Sequence, residues 1–139
     1  MNLTYKMINK SKKILTEISA GELLDKISIL EIKLDKIKDK ESLIEVTKEY
    51  ESLNKTKNSN IQITTDVNNL SNQLKEINLK LWTIEDKKRI CEKNHDFGKT
   101  FIELARNVYL NNDKRAKIKS NINRLLGSNI KEIKKYADY

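Results

Sequence analysis

Three features of the sequence predict an all-α protein, an antiparallel helical bundle of long coiled-coil-like hairpins that assembles as an oligomer. The 139 residues include no Pro and three Gly, so almost nothing interrupts a helix. Apolar residues recur at alternating steps of four and three, the period of a helix–helix seam and not of a strand. Capping signals of the Ser-x-x-Glu kind precede the first of these seams.

Residues 1–17 read as a basic lead-in, where Leu3, Met7, Ile8, Ile14 and Leu15 are poorly spaced for docking, and residues 18–139 read as one helical domain. The first helix starts at Ser19, whose hydroxyl can accept from the amide of Glu22 while Glu22 reaches back to the Ser19 amide. Leu23, Ile27, Leu30, Leu34 and Ile37 form its seam. Ser42 to Glu45 offers a second capping box, followed by Leu43, Val46, Tyr50 and Leu53, and the polar run Asn54–Asn60 reads as a loop.

The third segment is the most regular. Ile63, Val67, Leu70, Leu74, Ile77, Leu81 and Ile84 predict a helix over about 62–93. Lys93-Asn94-His95 should turn the chain, with Asp96 as the next N-cap. The seam resumes at Phe101, Leu104 and Val108, meets Asn111 and Arg115, and continues through Ile118, Ile122 and Leu125. The fourth segment is therefore either one helix with two polar seam positions or a helix broken near Asn111-Asn112-Asp113. Gly127 reads as a C-cap, Ser128 as the N-cap of a short last helix carrying Ile130, Ile133 and Tyr136. Seams this long also suit a homodimer, because one small chain has little with which to cover both faces.

The net charge of +8 is uneven: residues 1–13 carry +4 and residues 99–139 carry +6. Lys114, Arg115, Lys117, Lys119, Arg124 and Lys131 cluster, yet Ile118 and Ile122 interleave at core spacing and no helix-turn-helix or RNA-binding motif is present. Nucleic acid is thus an unfavoured partner. No apolar stretch approaches the ~20 residues of a membrane span. A lone cysteine, Cys91, fits a reducing cytoplasm.

Few residues carry recognisable chemistry. Cys91 and His95 supply two zinc ligands at most, and the single His leaves the Glu-x-x-His spacing at Glu92 without the partner that a di-iron bundle needs. No nucleophile constellation or phosphate-cradling Gly loop is present, so no catalytic residue, metal or cofactor is expected. Two polar clusters stand out. Asn78, Trp82, Glu85 and Arg89 form a stripe beside the third seam, with the only Trp in the chain. Arg106, Tyr109, Asn112, Asp113 and Arg115 interrupt the fourth. A seam Arg must snorkel to solvent, meet a buried acid, for which Glu22, Asp25, Glu85 and Asp86 are available, or take an anionic ligand. Arg forks also hold carboxylate or phosphate in a way Lys cannot, which singles out Arg89, Arg106 and Arg115 in a Lys-rich chain. Lys26 and Lys33 flank the first seam, and Glu22 four residues before Lys26 accounts for it as an ordinary ion pair.

Several motifs occur together: Gly21-Glu22-Leu23-Leu24-Asp25-Lys26, Leu81-Trp82-x-Ile84-Glu85-Asp86-x-x-Arg89, and Leu104-Ala105-Arg106-x-Val108-Tyr109 followed by Asn112-Asp113-x-Arg115-Ala116. In this order they resemble a small bacterial family of uncharacterised helical proteins over residues 18–139. The resemblance implies signature positions at these residues and no known activity. Near the end, Ile133 and Lys135 depart from the pattern of that family. Leu23-Leu24-Asp25-Lys26-Ile27-x-Ile29-Leu30 is similar to the first-helix start of the helical chorismate mutases, without the Arg that precedes it there.

The expectation is a non-catalytic binding or accessory module for a small anionic metabolite or a partner protein. Arg89, Arg106 and Arg115 would clamp the anion, Trp82 and Tyr109 would stack on it, and Glu85 and Asp113 would orient the Arg forks. Asn78, Asn112 and Lys26 complete the candidate site. The alternatives are a small helical enzyme with a mutase-like anion pocket and a purely structural assembly protein.

Overall fold

The computed structural model describes residues 12–139, and their regular structure is entirely helical. Four helices follow in order: α1 (Ala20–Lys36), α2 (Lys40–Asn60), α3 (Thr65–Lys93) and α4 (Lys99–Leu125). They form two hairpins, α1–α2 and α3–α4. Helix α1 packs on all three others, whereas α2 touches α1 alone.

The start of α1 is held by side chains from two directions. Ser19 Oγ accepts from Glu22 N at 3.2 Å, as its spacing predicts. Asn123 Oδ1 accepts from Gly21 N at 2.7 Å, and Ser128 Oγ accepts from Ala20 N at 3.1 Å. First-turn amides that helix geometry leaves unpaired are thereby satisfied, two of them from the far end of the chain. Glu22 does not close a capping box; its carboxylate turns to Lys119 Nζ at 2.6 Å. Gly21 is required by close approach: a Cβ there would lie 2.5 Å from the Lys119 carbonyl oxygen.

Helix α2 begins earlier than the Ser42 box implies. Asp39 is the N-cap, accepting from Ser42 N at 2.9 Å and Ser42 Oγ at 2.7 Å, and the acid replaces the Ser as the cap. Asn54–Asn60 is helix and not loop. Its polar side chains fold back on the helix, with Thr56 Oγ1 and Asn60 Nδ2 donating to carbonyls four residues earlier. Leu43, Val46, Tyr50 and Leu53 are half-buried, and no residue of α2 is fully buried.

Helix α3 starts at Thr65 behind an N-cap Thr64, whose hydroxyl accepts from Val67 N. After the turn at Asn94–Gly98, α4 runs unbroken through Asn111–Asp113. The buried Asn111 stays in the helix by donating to the Asn107 carbonyl at 2.7 Å. The N-cap of α4 is Gly98; Asp96, expected there, instead closes the turn by accepting from Gly98 N. Gly127, at φ +60°, ends α4 as predicted. The short helix expected after Ser128 is absent. Residues 130–139 have no regular structure, and Ser128 caps α1.

The core is small. Leu24, Val67, Leu74 and Ile122 are buried together, with Ala20, Ile61, Leu70, Ile118 and Leu126 packed around them. Leu24 lies off the predicted seam of α1. A helix that touches three neighbours buries more than one stripe, and Leu23, Ile27, Leu30 and Ile32 are buried as well. Ile14 and Leu15 of the lead-in are exposed; residues 1–11 lie outside the described residues. Among the described residues, no helix is long and apolar enough to cross a membrane.

Candidate binding site

The seam Arg of α4 meets a buried acid. Arg115 straddles Asp25 of α1, with Nε donating to Oδ1 at 2.9 Å and Nη2 donating to Oδ2. Asn78 Nδ2 donates to Asp25 Oδ1 at 2.8 Å, and Lys119 Nζ stands 3.4 Å from Oδ2. Asp25 is 0% exposed, and its carboxylate accepts three side-chain hydrogen bonds with the Lys119 ammonium beside them. Asn78 also donates to Ser28 Oγ, and Ser28 donates to the Asp25 carbonyl. Lys119, itself buried, joins Glu22 at 2.6 Å and Glu132 at 3.4 Å.

The electrostatics are those of a fully ionised cluster. Burial alone pushes the Asp25 carboxyl up, but the hydrogen bonds from Arg115 and Asn78 and the two nearby cations outweigh it and hold the group below the ordinary aspartate value. Burial likewise pushes the Lys119 ammonium down, and Glu22, Asp25 and Glu132 more than offset that, so its pKa is raised. Arg115 is raised chiefly by its hydrogen bond with Asp25. A fork-on-carboxylate pair with its remaining valences filled is the geometry in which a buried ion pair withstands its desolvation cost.

The α3 stripe runs out from beneath this cluster. Asn78 is buried under α1, Trp82 and Glu85 are half-buried, and Arg89 is 72% exposed. Together with Ile29 and Ile32 of α1, Leu81, Asp86 and Arg115 they line an open groove of about 360 Å³. Glu85 takes Arg89 Nη1 at 2.7 Å and Lys88 Nζ at 3.3 Å, the orienting contact the sequence predicts for Glu85. These hydrogen bonds, led by that from Arg89, keep the Glu85 carboxyl below its ordinary value.

Tyr109, Asn112 and Asp113 lie elsewhere. They line a second groove of about 850 Å³, between α4 and residues 134–139. Tyr109 and Tyr139 meet edge to face at 5.4 Å, and the Tyr139 hydroxyl donates to Asp113. Asp113 therefore orients a tyrosine and no Arg. Asn112 Oδ1 approaches Arg115 Nη1 at 3.4 Å, the one link between the two grooves. Arg106 is exposed and lines neither groove, and Lys26 is an exposed partner of Glu22 at 3.8 Å. The three Arg residues do not converge. Arg106 and Arg115 are nine positions apart on one unbroken helix, which sets them on opposite faces at about 180°.

Asn123, Ser28 and Glu132 have no place in the site read from sequence, and Lys119 figures there only in a basic cluster. Lys119 is one lysine among 24, but its position four after Arg115, with Asn123 four further on, marks a polar stripe parallel to that of α3. Among the described residues, no three His, Cys, Asp or Glu side chains gather as a metal site.

A small all-α protein with a buried Asp–Arg–Lys cluster and two open grooves is the class that fold and site define. The chain belongs to the family of unknown function DUF6165, which matches residues 14–138. No curated protein and no solved structure was found to match it.

Proposed function

We propose that this protein is a non-catalytic binding module that docks a segment of a partner protein in the groove over Trp82. The observation that carries this reading is the groove itself. Its apolar side chains are Ile29, Ile32, Leu81 and Trp82, and of its charged groups Glu85, Arg89 and Arg115 already have partners among the described residues, which leaves Asp86 alone outside an ion pair. An apolar floor with a compensated charged rim suits a partner's amphipathic segment, anchored by one side chain against the Trp. A small anionic metabolite held by an Arg clamp has less support, since Asp25 and Glu85 neutralise two of the three guanidinium groups. The same neutralisation weakens a mutase-like enzyme reading. In this proposal residues 18–139 act as one domain in the cytoplasm, where Cys91 stays reduced. The chain pairs as a coiled-coil homodimer through the outer part of the α3–α4 hairpin, where Ile84, Leu104 and Val108 are only half-buried.

The test is site-specific photo-crosslinking in cells. A photoreactive residue at Asp86 should give one dominant protein adduct that Trp82→Ala abolishes while the variant keeps the helical circular dichroism of the parent. The same residue at Lys117, on the other side of the hairpin, should not give that adduct. Absence of the adduct, or its persistence in Trp82→Ala, refutes the reading. A thermal shift of the purified protein by phosphorylated or carboxylated metabolites, lost in Arg89→Ala, would establish the small-anion reading in its place.

A further inference from the structure

The α3–α4 hairpin has two broad sides, and α1 covers only one. On α3 the α1 side presents Leu74, Asn78 and Trp82; on α4 it presents Arg115, Lys119 and Asn123. At about 100° per residue, Ile77 and Lys80 on α3, and Lys114, Lys117 and Ile118 on α4, fall on the other side of the interhelical seam. There they line an open groove of about 420 Å³.

The docking of α1 shows how this hairpin takes a helix. Leu24 packs on Val67, Leu74 and Ile122, while the carboxylates Glu22, Asp25 and Glu31 meet Lys119, Arg115 and Lys75. The uncovered side repeats that chemistry without the helix. Ile77 and Ile118 form a half-buried apolar strip, and Lys80, Lys114 and Lys117 stand exposed beside it. None of these three lysines has a carboxylate within ion-pair distance among the described residues, whereas the lysines facing α1 do.

We propose that this groove on the uncovered side docks an acidic amphipathic helix of a partner protein, with its apolar stripe on Ile77 and Ile118 and its carboxylates on Lys80, Lys114 and Lys117. Charge complementarity selects an acidic occupant. The apolar strip selects a helix over a nucleic-acid backbone, which has no use for two isoleucines.

The probe is a fluorescein-labelled synthetic helix with Leu at the i, i+3, i+4 and i+7 positions and Glu on both flanks, titrated with the full chain and read by anisotropy. Binding should weaken as salt rises. The triple variant Lys80→Gln, Lys114→Gln, Lys117→Gln should bind roughly tenfold more weakly, from three rim charges of about 0.5 kcal/mol each. The variant's circular dichroism and melting temperature should match the parent's, because all three side chains are exposed. Trp82→Ala should bind the probe as the parent does, which separates this groove from the one over Trp82. The proposal is overturned if the acidic helix does not bind, if it binds the triple variant equally well, if the same helix with Lys flanks binds as tightly, or if a 20-base-pair DNA duplex binds more tightly than the helix.

Discussion

The two halves of the α3–α4 hairpin share one seam spacing and have very different interiors. The half beneath α1 buries Val67, Leu74 and Asn78 on α3 and Asn111, Lys119, Ile122 and Asn123 on α4. The outer half buries Cys91 alone, although Leu81, Ile84, Phe101, Leu104 and Val108 continue the same spacing. A heptad seam specifies that two helices meet. What buries the pair is a third helix, and α1, at 17 residues, reaches only part of the way along a helix of 29. The stability of this hairpin should therefore be concentrated where α1 lies, and substitutions can break or sharpen that contrast.

The largest effect is expected at Asp25. Asp25→Ala leaves Arg115 without its buried counter-charge and Lys119 with Glu22 and Glu132 alone, and chemical denaturation should show a loss of about 3–5 kcal/mol. A loss below about 1 kcal/mol would mean that the cluster does not hold α1. Next come matched truncations of the two halves. Leu74→Ala, under α1, should cost about 3 kcal/mol, and Leu104→Ala, in the half-buried outer seam, about 1 kcal/mol. Equal costs would erase the distinction between the halves.

Gly21→Ala should follow, at about 1–3 kcal/mol. Helix propensity alone favours the Ala by up to about 1 kcal/mol, but the new Cβ would stand 2.5 Å from a backbone oxygen of α4 that has little freedom to retreat. The sign of the measured change thus reports whether α1 and α4 are in contact at that point.

The smallest signal is in the pH dependence. Asp25 has a folded pKa below its unfolded value of 3.8, so its contribution is present above that value and fades as pH falls through the folded one. Lys119 has the opposite sign: its folded pKa lies above 10.5, and its contribution is complete below pH 10.5 and fades as pH rises through the folded value. Stability should be flat between these limits as far as the cluster is concerned. Asp25→Asn should flatten the acid limb, and an acid limb unchanged by that variant would place its cause elsewhere.

Much of the fold was legible in sequence because helix signals are local. Ser19 caps α1, Gly127 ends α4, and the third seam runs as spaced from Val67 to Ile84, whereas Ile63 precedes the helix and is exposed. The misreadings arose where two local signals competed. Asp39 outbid Ser42 as a cap, and Asn54–Asn60, polar enough for a loop, is helix, with Thr56 and Asn60 bonded back to carbonyls of the same helix. Ile130, Ile133 and Tyr136 have spacing suited to a helix but no surface to bury it on, and remain without one. The candidate site was legible in part. That Arg115 would need a buried acid, with Asp25 among the choices, follows from the cost of an unpaired charge. That Arg106 points away follows from nine residues at about 100° each, once α4 is known to be unbroken. What the sequence conceals is the pairing of distant elements: Lys119 with Glu22, Asn123 with Gly21, and Tyr139 with Tyr109.

The central claim is that Arg115 is spent on Asp25, to hold α1 on the hairpin, and is not held in reserve for a ligand. A double-mutant cycle of Asp25→Asn and Arg115→Gln, read by urea denaturation without any ligand, tests it most directly. The claim predicts a coupling of about 2–3 kcal/mol between the two side chains. Additive losses, with a coupling near zero, would contradict it.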